Sequence, residues 1–139
     1  MSAKSLVLIS DLILAFAPGA AAIEVPRGEW TLEMKTENPM LGGAMNQTHT
    51  ECIDKQSWTP EELMKDPRCR IYDKADTAKT ISWKMDCTQE GMASRGEASF
   101  AVDGETMTGG MTITMMAAGR SVTMRTTVHG KRTAKTCQR

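Results

Sequence analysis

The chain has 139 residues, 17 acidic and 17 basic side chains, and only 4% aromatic residues. A neutral balance argues against a nucleic-acid-binding protein, because such proteins carry a basic surface that attracts phosphates. The length suits one domain, and the 12 methionines must fill much of the core that aromatic residues fill elsewhere.

The N-terminus has the pattern of an export signal. Lys4 precedes an apolar run at residues 6–16, and a segment of small residues ends at Ala22. These features are the three regions of a secretory signal peptide, so we predict that residues 1–22 are removed. The alternative is an uncleaved membrane anchor, but a membrane-spanning helix needs about 20 apolar residues. We expect residues 23–139 to form a single domain with no membrane span.

The first half of this domain contains strands and one helix. Residues 30–34 alternate apolar and polar side chains, which is the period of a half-buried strand. The polar segment 46–53 predicts a second strand near a sheet edge. Residues 59–62 (Thr-Pro-Glu-Glu) supply an N-cap, a first-turn proline and a capping-box glutamate. Asp66-Pro67 should end this helix after about two turns.

The four cysteines predict a disulfide framework. An even number of cysteines behind a signal peptide is typical of disulfides, and zinc is the weaker alternative because no CxxC pair occurs. A hairpin centred on residue 78 places Cys69 opposite Cys87, within disulfide reach. Cys52 and Cys137 then pair by elimination.

The C-terminal half predicts a meander. A two-residue turn at Asp103-Gly104 would pair Phe100 with Met107. In the strand that follows, residues 107–115, methionine and isoleucine alternate with threonine. One side of this strand is therefore apolar and the other polar.

A second tight turn, at Ala118-Gly119, would pair Ile113 with Met124. Both turns set apolar residues against apolar residues, as a real sheet requires. Short connections exclude parallel pairing. The predicted fold is mainly β: an antiparallel meander of six to eight strands, curled toward a barrel, with one short helix and two disulfides.

The sequence resembles the bacterial exported family known as domain of unknown function 3617 over nearly all of residues 23–139. The residues that carry the resemblance are Gly28-Glu29-Trp30, Cys52 ahead of the Thr59 helix, Cys69 with Tyr72, Ile81-Ser82-Trp83 with Cys87, residues 111–115 (Met-Thr-Ile-Thr-Met), and Gly130-Lys131-Arg132 before Cys137. The resemblance implies a location in the periplasm of a Gram-negative cell. It implies no established activity and no functional residues.

Methionine is the residue type most suggestive of chemistry here. Its thioether sulfur is a soft ligand suited to Cu(I), so Met40, Met45 and His49 are a candidate metal site. The methionines of residues 107–115 offer a second set of sulfurs, but alternate methionines on the apolar side of a strand usually fill a core. No resident cofactor is predicted.

Charge is distributed unevenly along the chain. Residues 23–105 carry 10 basic and 16 acidic side chains, whereas residues 106–139 carry 6 basic and no acidic ones. Arg125, His129 and Lys131 share one side of the last strand and form a candidate anion-binding surface, for example for a lipid phosphate. The alternative is that this basic strand lies beside acidic strands in a neutral sheet.

No nucleophile–base pair, carboxylate pair or phosphate loop stands out, so we predict that the protein is not an enzyme. The leading hypothesis is a periplasmic binding or interaction protein that encloses a small apolar or lipid-like ligand or presents a surface for one. One alternative is a soft-metal protein that uses the Met/His site. The other is a structural envelope protein without a ligand.

Overall fold

The structure is a computed structural model that describes residues 21–138. Within them the elements run in the order β1 (Ile23–Glu24), β2 (Gly28–Asn38), a 3-10 turn (Pro39–Leu41), β3 (Gly43–Ile53), β4 (Ser57–Trp58), α1 (Pro60–Met64), β5 (Cys69–Asp76), β6 (Thr80–Gln89), β7 (Met92–Asp103), β8 (Thr106–Ala117) and β9 (Arg120–Ala134). The predicted signal peptide, residues 1–22, lies almost entirely outside the described residues. In the described part, none of the helices is long and apolar enough to cross a membrane.

Seven strands form one antiparallel sheet in the order β3-β2-β9-β8-β7-β6-β5. Strands β5 to β9 are a meander of hairpins, and the β2–β3 hairpin joins it where β2 pairs with β9. The edges, β3 and β5, do not pair with each other in the described chain, so the sheet is open. The predicted antiparallel class is confirmed. A separate β1–β4 pair was not predicted, because two-residue strands are too short to show a period.

The core lies on one face of the sheet. Trp30, Ile81, Trp83 and Met85 are at most 2% exposed. Trp30 on β2 and Trp83 on β6 belong to the same core although three strands separate them, so the sheet curls. Ile23, in the segment before β2, is also buried in this core. Burying each of these large side chains contributes about 1.5–3 kcal/mol.

The helix α1 begins as predicted and ends earlier. Thr59 is the N-cap, and a complete capping box links its side chain and backbone to Glu62. The helix stops at Met64, because Lys65 adopts a left-handed conformation (φ 42°) and its backbone N–H donates to the Glu61 carbonyl. The predicted two turns are therefore too long, since this left-handed cap comes before Asp66-Pro67.

Two predicted hairpin registers are confirmed. Cys69 lies directly opposite Cys87 in the β5–β6 pair, and Ile113 lies opposite Met124 in the β8–β9 pair. The turn between β8 and β9 consists of Ala118-Gly119, both with positive φ (51° and 75°). Positive φ at both central residues is the conformation that two-residue hairpin turns favour.

The predicted register of the β7–β8 hairpin is wrong by two residues. Phe100 lies opposite Gly109 rather than Met107, because the turn is Gly104-Glu105. The observed register gives the Phe100 ring room: a Cβ at position 109 would lie 2.2 Å from a ring carbon. The ring instead stacks on Trp83, with centroids 5.7 Å apart. A shift of two leaves every side chain on its predicted face.

Both predicted disulfides are present. Cys69–Cys87 joins the paired strands β5 and β6. Cys52–Cys137 joins β3 to the segment after β9, with Cα atoms 5.6 Å apart and a sequence separation of 85. In the chain-entropy model, closing a loop of this length stabilises the fold by about 4–5 kcal/mol.

Candidate functional site

The face of the sheet that bears Trp30 and Trp83, the inner face, is covered over only part of its area. The β1–β4 pair and α1 lie over this part, where Ile23 and Pro60 are fully buried. Trp58 packs against the same core from the covering side. We call this part the tryptophan half. Its side chains have neighbours both beside and above them, which accounts for their burial.

The rest of the inner face has no comparable cover. It carries five apolar side chains that are only partly buried and do not belong to the core cluster. We call this set the methionine face; its members are Met34 on β2, Ile113 and Met115 on β8, and Val122 and Met124 on β9. In the described chain, β8 contacts mainly its two neighbouring strands, β7 and β9. Strand β9 contacts mainly its own neighbours, β2 and β8, and the 3-10 turn.

Four members of the methionine face are contiguous on β8 and β9, and the Thr36–Thr126 pair lies between them and Met34 on β2. Two further methionines lie at the sides of this surface. Cross-strand pairing sets Ile113 opposite Met124 and Met115 opposite Val122. On the β3 side it reaches Met45, 51% exposed, and on the β7 side Met92, 47% exposed. A methionine-rich surface fits irregular apolar ligands well, because the unbranched thioether chain is flexible and polarisable.

The polar groups next to the methionine face bond to each other. Thr36 on β2 and Thr126 on β9 lie opposite each other, and their hydroxyl oxygens are 3.1 Å apart. Met45 lies on the other side of Thr36, and Met111 lies on the other side of Thr126. This hydrogen bond lowers the free-energy cost of covering the surface, because each hydroxyl keeps one hydrogen-bond partner when water is removed.

The three residues of the predicted soft-metal site lie along the β2–β3 hairpin. Met40 is in the 3-10 turn and is 66% exposed, and Met45 lies near the same end of the hairpin. His49 is four residues further along β3, which corresponds to about 13 Å. Its Nε2 atom is 3.4 Å from the Gln47 side-chain oxygen. The structure thus brings the two methionines to one end and leaves the histidine in mid-strand.

The predicted anion surface lies on the outer face of β9. Arg125, His129 and Lys131 are all exposed there. Across the β2–β9 pair, Arg125 lies opposite Glu37 and His129 opposite Glu33. The basic charges near the C-terminus are therefore balanced across the sheet, because the acidic strand β2 lies next to the basic strand β9.

Opposite charges also alternate elsewhere on the outer face. Lys84 on β6 lies opposite Glu97 on β7. Asp86 lies 3.3 Å from Arg70 and 3.7 Å from Arg95, on the strands to either side. An open groove of about 440 Å³ crosses this region. Its charges balance, unlike those of a dedicated anion site.

The shifted pKa values belong to ion pairs and a hydrogen bond away from the methionine face. A hydrogen bond from Lys55 lowers the pKa of Glu62. A hydrogen bond from Lys74 in the same way lowers the pKa of Glu61. Desolvation raises the pKa of Tyr72, and so does the hydrogen bond that its hydroxyl donates to Asp86. These groups fasten α1 and the β5–β6 hairpin.

The division of the inner face could not be foreseen from strand periodicity. Alternation marks Met34, Met115 and Trp83 as equally inward-facing. Only the path of residues 21–27 and of α1 decides which of them are covered. Residue type was the one feature of the sequence that separates the covered from the uncovered part. The two tryptophans of the main sheet are both in the covered half, and the methionine face contains none.

The fold and this surface define a class: an open, antiparallel, disulfide-bonded β-sheet protein with one apolar face only partly covered. The chain belongs to the family described as "protein of unknown function (DUF3617)", whose model matches residues 25–137. The family predicted from the residues is therefore confirmed. No curated protein and no solved structure matches the chain.

Proposed function

We propose that this protein is a non-enzymatic binding protein of the bacterial periplasm that holds an apolar, acyl-chain-like ligand on the methionine face. The observation that carries the proposal is the half-buried state of five apolar side chains beside a fully buried core. Covering such a surface is favourable by about 25 cal/mol per Å² of apolar area removed from water.

The proposed ligand lies on the open methionine face and is not enclosed by the protein. The two edges of the sheet do not pair in the described chain, so an extended molecule can enter from the side. The adjacent Thr36–Thr126 hydroxyl pair offers a polar contact to the head of an amphiphile. The charged outer face stays in water.

The periplasmic part of the proposal is supported by the two disulfides and by the predicted signal peptide. Disulfides persist in oxidising compartments and are rare in the cytosol. The non-enzymatic part rests on the sequence, in which no catalytic motif stands out.

Binding can be tested by NMR on protein labelled with [¹³C]methyl-methionine. Sodium laurate, kept below its micelle concentration, should shift the Met34, Met115 and Met124 resonances in a saturable way. Met85 is 0% exposed in the tryptophan half and serves as the control in the same spectrum. No shift at millimolar laurate would refute the proposal.

A pair of variants separates specific binding from general stickiness. Met124→Gln places an amide on the methionine face and should weaken laurate binding about tenfold, roughly the effect of losing one or two buried methylenes. Met116→Gln makes the same change on the outer face, where Met116 is 58% exposed, and should leave binding unchanged. Equal losses in both variants would contradict a site on the methionine face.

Soft-metal binding is the second candidate, because Met40 and Met45 lie at the same end of the hairpin and are both exposed. Cu(I) added under anaerobic conditions should then shift these two resonances with 1:1 stoichiometry. The double variant Met40→Ala/Met45→Ala should lose this uptake. If the double variant keeps its affinity, the candidate fails, while the laurate result stands independently.

A further inference from the structure

The two edges of the seven-stranded sheet differ in how they are protected. A sheet edge exposes unpaired N–H and C=O groups, and proteins usually guard it with bulges, charges, prolines or a covering element. The edge strand β5 has a bulge between Tyr72 and Ala75. Within this bulge Asp73 adopts a left-handed conformation with φ 50°. The bulge bends β5 away from any strand that approaches it.

Charges protect the β5 edge further. Arg70, Asp73, Lys74 and Asp76 give this strand four exposed charged side chains in eight residues. Lys74 reaches from β5 to Glu61 on α1, with 2.7 Å between the ammonium and the carboxylate. The helix α1, which lies over the inner face, is thus also tied to this edge strand.

The β3 edge is less protected in the described chain, with no bulge, no proline and a single acidic side chain. All eleven residues of Gly43–Ile53 pair with β2 in an unbroken register without a bulge. Every side chain is exposed except that of Ile53, which is half-buried. The strand contains no lysine, arginine or proline, and Glu51 is its single acidic residue.

We propose that β3 is a self-association edge, at which a second copy of this chain adds its own β3 antiparallel and extends the sheet across a two-fold axis. The strand is symmetric about Thr48, which is its sixth residue of eleven. Full overlap therefore places Thr48 opposite Thr48 of the second copy. A two-fold contact of this kind uses the same surface on both copies.

Charge favours a second copy as the occupant. With Thr48 on the axis, Glu51 lies opposite the uncharged Met45, so the strand's acidic residue meets no like charge. Gln47 lies opposite His49, and their side chains are compatible hydrogen-bonding partners. The chain is neutral as a whole, with 17 acidic and 17 basic side chains, so two copies do not repel each other at long range.

The expected association is weak, because a single strand pair joins the two copies. One added strand pair buries less than a standard interface, so we expect a dissociation constant on the order of micromolar. The two-fold axis is perpendicular to the sheet, which keeps both methionine faces on the same side. Met45 of each copy then lies near the join between the two faces.

Sedimentation velocity on the disulfide-bonded protein, from about 1 to 500 µM, tests the proposal. A monomer–dimer equilibrium is expected. Thr48→Lys sets two ammonium groups against each other at the axis and should shift the equilibrium to monomer by at least tenfold. Thr108→Lys is the matched control, because Thr108 is an exposed threonine on the same outer face of the central strand β8. It should dimerise like the parent.

A cysteine trap checks the register and does not rely on loss of binding. Thr48→Cys should form an intermolecular disulfide under mild oxidation, because paired Cα atoms lie about 4.5–5.5 Å apart. Thr108→Cys should not. A protein that stays monomeric at 500 µM would overturn the proposal. So would a dimer that survives Thr48→Lys and leaves Thr48→Cys untrapped, since it would use another surface.

Discussion

The two halves of the inner face are built from the same strands by the same alternation, yet they differ in what lies above them. In the tryptophan half, Trp30 and Met85 are completely buried. In the methionine face, Met115 and Met124 have neighbours in the sheet but little above them. Periodicity therefore decides which way a side chain points, while covering elements decide whether it belongs to the core.

Residue type follows this division. Tryptophan is rigid and large, and it stabilises most where its whole surface is covered. Methionine adapts its shape, so it suits a surface that meets different neighbours at different times. We therefore expect the tryptophan half to determine stability and the methionine face to contribute little to it.

The largest expected difference between the two halves is in the stability lost when one side chain of each is replaced by alanine. Trp30→Ala removes a side chain that is 0% exposed and should lower the free energy of unfolding by about 3–5 kcal/mol. Met124→Ala removes a half-buried side chain and should cost about 1 kcal/mol. Urea unfolding followed by circular dichroism measures both. Similar losses in the two variants would mean that the methionine face is part of the stabilising core.

Much of the fold followed from local sequence signals. The register of Cys69 with Cys87 and the turn at Ala118-Gly119 depend only on nearby residues, and both predictions were right. The β7–β8 register was predicted wrongly because two overlapping two-residue turns, Asp103-Gly104 and Gly104-Glu105, are both locally acceptable: a glycine with positive φ at the first central position, as at Gly104 (φ 59°), also suits a hairpin. Local turn preference therefore did not choose between the two, and the observed register is the one in which Gly109 leaves room for the Phe100 ring.

The candidate site was harder to predict. That His129 shares one side of β9 with Arg125 and Lys131 followed from strand parity, but its neighbour Glu33 depends on β2 pairing with β9, nearly a hundred residues away. The uncovered half of the inner face depends on the path of residues 21–27 and α1. Neither of these long-range arrangements leaves a periodic trace in the sequence.

The next test concerns Gly109, which lies on the inner face between the two halves. A Cβ at this position would lie 2.2 Å from a Phe100 ring carbon, so Gly109→Ala should push the ring off Trp83. Overpacking of this kind costs about 1–3 kcal/mol. Gly110→Ala is the matched control on the outer face, where the nearest contact would be 3.1 Å, so its cost should be smaller. Equal unfolding midpoints for the two variants would contradict this account of the Phe100–Gly109 pair.

The smallest expected effect is on the ion pair between Lys55 and Glu62, which helps to hold α1 over the tryptophan half. Lys55 donates a hydrogen bond to Glu62 at the start of α1 and holds the pKa of Glu62 below its ordinary value of 4.5. Because the folded-state pKa is lowered, this contribution to stability is present above the unfolded-state pKa. It is lost as pH falls through the folded-state pKa.

Lys55→Met should therefore raise the pKa of Glu62 toward its ordinary value, as measured by ¹³C NMR titration of the side-chain carboxyl. Glu61 is the internal control, because its pKa is lowered by Lys74 and should not respond. The resonances of Trp30 should stay unchanged through the titration, since both side chains of the Lys55–Glu62 pair are substantially exposed, at 44% and 39%. A change in the Trp30 resonances during the titration would instead mean that this surface ion pair controls the packing of the core beneath it. The stability of the tryptophan half would then depend on how firmly its cover is held in place.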